Sequence, residues 1–136
     1  MELRAIIIDD EIDGIKSLKM LVEKYVDRLT IIAETTNPIE GIKFIDNFRP
    51  DIVFLDIQMP EEFGFKLFDY FDDITFDVIF TTAHSDYILE AVNQWGCLGY
   101  LMKPISISDL KVLLNRFVER QNQTKKTKEI INIADD

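Results

Sequence analysis

An α/β fold, a doubly wound parallel sheet of five strands with five helices, is the class that this sequence of 136 residues predicts. Three observations carry that prediction. Short apolar runs of strand length alternate with longer segments of helical period, which implies parallel strands covered by helices on both faces. The composition is 47% apolar and 29% charged, enough for one buried core and too apolar for a disordered chain. Helix caps also fall between the runs, where the alternation requires helices to begin.

The first strand is expected at residues 5–8, an unbroken apolar run that ends on Asp9 and Asp10. Ile15, Leu18, Leu21, Val22 and Tyr25 then recur on one face of a first helix. The second strand is expected at residues 30–34. Asn37-Pro38 opens a second helix, an N-cap residue followed by proline at the first helical position, and Ile39, Ile42, Ile45 and Phe48 mark its apolar face. Residues 52–55 form the third strand, 65–71 a short third helix and 78–81 the fourth strand. Ile88, Ala91, Val92 and Trp95 mark the fourth helix, residues 98–102 the fifth strand, and Leu110, Leu113, Leu114 and Phe117 the fifth helix, capped by Ser106 or Ser108. From Gln121 the apolar period fades, so residues 1–120 are expected to form the domain and 121–136 a linker or the start of an output domain absent from this chain.

Charge and cysteine content narrow the function. Fifteen Lys and Arg against twenty-five Asp and Glu leave a formal net charge of -10. Direct nucleic-acid binding is therefore disfavoured, because it relies on clustered cations. Cys97 is the only cysteine, which excludes an intrachain disulfide and a zinc site of several thiolates and suits a reducing cytoplasm. The apolar run at residues 5–8 is too short for a signal-peptide core or a membrane span, so a cytoplasmic protein is expected.

Ligands of doubly wound sheets bind beyond the carboxyl ends of the strands. Asp9, Asp10 and Glu11 follow the first predicted strand, Asp56 the third and Thr82 the fourth, while Lys103 stands near the end of the fifth. If the first and third strands are neighbours, Asp9, Asp10 and Asp56 converge. Like charges at that range raise a pKa or recruit a cation, and oxygen donors without histidine or cysteine favour Mg2+. The plainer alternative is that Asp9 and Asp10 cap the first helix; carboxyl, hydroxyl and amine groups at three further strand ends weigh against it. The only glycine soon after the first strand is Gly14, so no phosphate-binding glycine loop is present. His84 is the only histidine and there is no Gly-x-Ser-x-Gly elbow, which excludes a Ser-His-Asp hydrolase.

These residues resemble the receiver domains of bacterial two-component response regulators, the CheY-like family, over roughly residues 3–120. The matching pieces are IIIDDE at 6–11, DIVFLDIQMPEEFG at 51–64, VIFTTA at 78–83 and YLMKPI at 100–105. The resemblance implies a flavodoxin-like sheet of order 2-1-3-4-5 and a signalling switch, not an enzyme acting on an external substrate. It implies that Asp56 is the phosphoacceptor for a sensor histidine kinase, and that Asp10, Asp56 and the Gln58 carbonyl hold Mg2+, with Asp9 acting through a bound water. Lys103 and Thr82 would contact the phosphoryl oxygens. Thr82 and Tyr100 would form the switch that alters the surface of the fourth helix, fifth strand and fifth helix, the surface implied for a homodimer.

Gln58 and His84 resemble the positions that govern acyl-phosphate lifetime; as a lone histidine, His84 reads equally as a solvated loop residue. Gly64 serves loop geometry, Pro104 follows a cis peptide in many receivers, and Cys97 reads as a buried packing residue. Trp95, Tyr87 and Val92 read either as core or as part of an exposed patch. VIFTTAHSDYILEAV with YLMKPI is most similar to receivers that precede LytTR-type DNA-binding domains, which implies transcription regulation, although Gly96 to Gly99 depart from that pattern. Two alternatives remain. One is a Mg2+-dependent phosphohydrolase with an aspartyl-phosphate; Gln58, where such enzymes carry a second aspartate, speaks against it. The other is a phosphorylation-independent interaction module.

Overall fold

A computed structural model describes residues 2–56, 71, 74–83 and 99–134, with side chains described as far as residue 124. Its strands are β1 (Leu3–Ile8), β2 (Leu29–Thr35), β3 (Ile52–Asp56), β4 (Asp77–Thr82) and β5 (Gly99–Met102), and the described helices are α1 (Ile12–Tyr25), α2 (Pro38–Phe48) and α3 (Ile107–Ala134). The five strands form one sheet in the order β2-β1-β3-β4-β5, and every neighbouring pair is parallel. That is the predicted order. The expected third and fourth helices, and with them Gln58, Gly64, His84, Tyr87, Val92, Trp95 and Cys97, lie outside the described residues.

The central strands β1, β3 and β4 are buried on both faces, whereas the edge strands β2 and β5 are only partly so. Leu3, Ala5 and Ile7 of β1 point toward α1 and α3, where they join Ile52, Phe54, Ile79 and Leu101 and the helix residues Ile15, Leu18, Val22, Leu110, Leu114 and Phe117. Ile6 and Ile8 alternate to the opposite face, with Val53, Leu55, Val78, Phe80 and Ile45 of α2. The two-residue period of a strand thus sorts one continuous apolar run into two layers.

The start of α2 follows its capping residues. The Asn37 side-chain oxygen accepts the backbone N–H groups of Ile39 at 2.9 Å and Glu40 at 3.4 Å, and Pro38 occupies the first turn. Its inward face differs from expectation. Ile39 is 56% and Phe48 41% exposed, whereas Gly41 and Ile45 are buried. Residues spaced three apart drift about 60° per step around an α-helix, so a run from 39 to 48 cannot stay on one face. Phe48 instead meets Phe44, with ring centroids 5.7 Å apart. Tyr25, at the end of α1, is also exposed, at 47%.

At α3 the Ser106 hydroxyl accepts the Asp109 N–H at 3.4 Å. The helix then passes Gln121 without a break and continues to Ala134, a span with no glycine or proline to stop it. Twenty-eight helical residues reach about 42 Å, longer than the sheet they cover. Among the described residues, no helix is long and apolar enough to cross a membrane.

Candidate functional site

The carboxyl ends of β1, β3 and β5 bring three charged side chains together by strand alternation. Asp9 continues the parity of Ile7, Asp56 that of Phe54, and Lys103 that of Leu101, and all three of those apolar residues face the layer under α1 and α3. Register does the rest: β1 and β3 lie side by side with Ile8 opposite Leu55, which sets Asp9 beside Asp56.

Lys103 lies between the two acids. Its Nζ donates to Asp9 Oδ2 at 2.7 Å and to Asp56 Oδ2 at 3.3 Å. Both acids are 3% exposed as residues, and the lysine side chain is 19% exposed. The other Asp9 oxygen, Oδ1, accepts the Glu11 N–H at 2.9 Å. The Asp9 carboxylate is therefore held at both oxygens, once by a charge and once by the backbone at the start of α1.

Asp9 thus has some of the plainer helix-start role, but its second oxygen is committed to the site. The residue at the N-cap position of α1 is Glu11, whose side chain makes no capping bond. Asp10 is exposed, yet its carboxylate reaches the same cluster: one oxygen from each of Asp9, Asp10 and Asp56 lies within 4.8 Å of the others. Oxygen-only donors at this spacing, two buried and one facing solvent, fit a hard divalent cation such as Mg2+ and offer nothing that zinc would prefer.

Electrostatics reflect the crowding. Burial pushes the Asp9 carboxyl above its ordinary range, further than the hydrogen bonds from Lys103 and Glu11 pull it down, and the neighbouring Asp56 charge adds to the rise. Burial lowers the Lys103 ammonium, but the Asp9 hydrogen bond and the two carboxylate charges outweigh that effect and raise it overall. Lys103 is thus held charged as the local counter-ion of the acids.

Thr82 ends β4 fully buried, and its carbonyl accepts the Lys103 N–H at 2.8 Å, which ties the β4 end to the loop carrying the lysine. Tyr100, in register with Phe80, is 46% exposed on the outer strand of the sheet. The Lys103-Pro104 peptide is cis. A groove of about 610 Å3 between α1 and the loop after β5 opens beside Lys103 and Pro104. Of the residues singled out from sequence, Asp9, Asp10, Asp56 and Lys103 are in one cluster with Thr82 tied to it through the backbone; Gln58 and His84 fall outside the described residues.

Gly14 was legible only as the wrong glycine for a phosphate loop. In the fold it abuts the site: a methyl group there would lie 2.6 Å from Asp9 Oδ2 and 3.3 Å from Lys103 Nζ. No sequence pattern announces that contact, since it depends on how closely α1 approaches the end of β1.

Comparison with known proteins agrees with this geometry. The response regulator receiver domain family matches residues 5–115. An uncharacterized response regulatory protein of Vibrio cholerae is 34% identical over 90% of this chain and 51% of its own length. The transcriptional regulatory protein BtsR of Escherichia coli is 32% identical over 90% of this chain and 50% of its own. The chain thus spans about half the length of these curated relatives. Among solved structures, the receiver domain of AraT from Geobacillus stearothermophilus superposes with a TM-score of 0.75 at 22% identity, covering 91% of this chain and 99% of that one. A response regulator receiver protein from Burkholderia phymatum gives 0.71 at 24% identity over 85% of this chain and 95% of its own. The match over residues 5–115, on a sheet of order 2-1-3-4-5 with its acids at the carboxyl ends, places this chain in the response regulator receiver domain family.

Proposed function

We propose that this chain is the phosphorylation-dependent switch of a two-component response regulator, in which Asp56 accepts a phosphoryl group from a sensor histidine kinase. The observation that carries this reading is the convergence of Asp9, Asp10 and Asp56 within 4.8 Å beside the Lys103 ammonium. An Asp56 carboxylate oxygen attacks the phosphorus of a phosphohistidine. The new O–P bond forms as the N–P bond breaks, and its electron pair remains on the imidazole nitrogen.

Such a transfer needs positioning and neutralisation of charge more than covalent help. Lys103, 3.3 Å from Asp56 Oδ2, would take up the phosphoryl oxygens, and Thr82, buried at the end of β4, would donate its hydroxyl to one of them. Asp10, Asp56 and the Gln58 carbonyl would hold Mg2+, with Asp9 acting through a bound water, and the ion when bound neutralises charge on the phosphoryl oxygens. Gln58 and His84 would flank the water that ends the signal. Thr82 drawn toward the phosphoryl group leaves room for Tyr100, whose ring now stands half exposed, to turn inward, and the outer surface of the sheet changes with it.

The output is proposed to be a LytTR-type DNA-binding domain beyond residue 120, with a homodimer formed through the β5 side of the receiver. The motif resemblance supports this, as does the half-length match to a relative named as a transcriptional regulator. The acidic receiver would not itself contact DNA, and it would work in the cytoplasm as a switch, not as an enzyme on an external substrate.

Incubation with a kinase phosphohistidine domain, with and without EDTA, tests the reading. Stoichiometric transfer that requires Mg2+ and is lost in Asp56→Asn is expected. Rapid multiple turnover of a phosphate ester would instead mark a phosphohydrolase, and no transfer from any donor would mark an interaction module.

A further inference from the structure

We infer that Gly14 is a positioning residue for the acidic site, required because any side chain there displaces the Asp9 carboxylate; this rests on the proposed phosphoacceptor reading. Glycine is a poor helix former, so its place in the first turn of α1 calls for a reason in packing. The reason is the close approach. A methyl group at Gly14 would lie 2.6 Å from Asp9 Oδ2 and 3.2 Å from Asp9 Cγ, well inside van der Waals contact.

Something must yield, and the structure limits what can. The helix is anchored one residue later by Ile15 and then by Leu18 and Val22, all buried in the core, so α1 cannot retreat as a unit. The Asp9 side chain is short and held at both oxygens, by the Lys103 ammonium at 2.7 Å and the Glu11 N–H at 2.9 Å. Moving it gives up one of those bonds and spoils its alignment with Asp10 and Asp56. Lys103 has little room to follow, because the same methyl would stand 3.3 Å from its Nζ. Gly14 thus acts through Asp9 and Lys103 without touching a ligand.

The test is a double-mutant cycle of wild type, Gly14→Ala, Asp9→Ala and the double variant. Melting temperature is measured in EDTA, and Mg2+ affinity by calorimetry, with Gly41→Ala as a second glycine control. Gly41 is a packing glycine whose added methyl would meet Ile8 Cδ1 at 2.5 Å, away from the acids. Gly14→Ala is expected to weaken Mg2+ binding about tenfold, as loss of support around a metal site does. Gly41→Ala should lower the melting temperature and leave Mg2+ affinity within about twofold of wild type, being outside that support.

In the Asp9→Ala background, where the obstructing carboxylate is gone, Gly14→Ala should no longer lower the melting temperature. If Gly14→Ala does not fold, recovery of folding in the double variant supports the inference and continued failure overturns it. Wild-type Mg2+ affinity in Gly14→Ala, or a melting-temperature loss that persists without Asp9, overturns the inference alone. Failure of the wild type to bind Mg2+ or accept a phosphoryl group overturns the proposed function and this inference together.

Discussion

Replacing Lys103 by methionine keeps the length of the aliphatic stem and removes the ammonium that lies 2.7 Å from Asp9 and 3.3 Å from Asp56. The shorter contact is a charge-assisted hydrogen bond, worth about 1.5–3 kcal/mol, while the longer one adds less. Removing one partner of a buried pair costs about 3–5 kcal/mol when the remaining charge has no escape. Here the lysine is 19% exposed, and Asp9 already sits above its ordinary pKa, so protonation offers that escape. A loss of about 2–3 kcal/mol near neutral pH in EDTA follows, roughly 7–10 °C in melting temperature for a chain of this size.

The sign with pH is fixed by the two shifts. Lys103 is raised above 10.5, so its contribution is fully present below that pH and is lost as pH rises through the higher folded value. Neutral solution therefore exposes the whole deficit of the variant. Lys103 pulls Asp9 down, so its removal raises Asp9 further, and acid then neutralises the carboxylate that the variant leaves uncompensated. The deficit should shrink toward zero as pH falls, and added Mg2+ should restore part of it. Urea unfolding of both proteins across pH, with and without Mg2+, measures this. A variant equal to wild type in EDTA at neutral pH, or a deficit that grows on acidification, would mean that Lys103 is not the counter-ion of Asp9.

Two further changes probe the scaffold. Asn37→Ala removes the oxygen that accepts two N–H groups at the start of α2 and should cost about 1 kcal/mol by urea unfolding, leaving Mg2+ affinity unchanged. Asp77 is raised by burial, which outweighs the attraction of Arg120, so its stabilising contribution is present below 3.8 and lost as pH rises through the raised folded value. Asp77→Asn should therefore raise stability at neutral pH, by less than about 1 kcal/mol because the Arg120 pair is also lost, and abolish the gain that protonating Asp77 gives on acidification, both read by urea unfolding across pH.

Much of the site could be read from sequence because each of its groups stands at the end of an apolar run. Asp9, Asp56, Thr82 and Lys103 close strands whose parity the sheet preserves, so strand ends alone located them. Sequence could not separate Asp9, buried and doubly bonded, from Asp10, exposed at the rim, since the Asp-Asp pair looks symmetric until α1 turns away from the sheet. It missed Gly14 for a related reason: the contact with Asp9 is made across the β1-to-α1 turn and leaves no periodic trace. Ile39 misled because three-residue spacing imitates a helical stripe over one turn and departs from it over three. The continuous α3 beyond Gln121 shows that fading amphipathicity does not mark the end of the helix.

Intact-mass analysis after incubation with Mg2+ and acetyl phosphate decides whether Asp56 is the phosphoacceptor. One added phosphoryl group is expected on the wild-type chain, absent in EDTA and absent from Asp56→Asn. Undiminished labelling of Asp56→Asn, or labelling that proceeds fully in EDTA, would contradict that role.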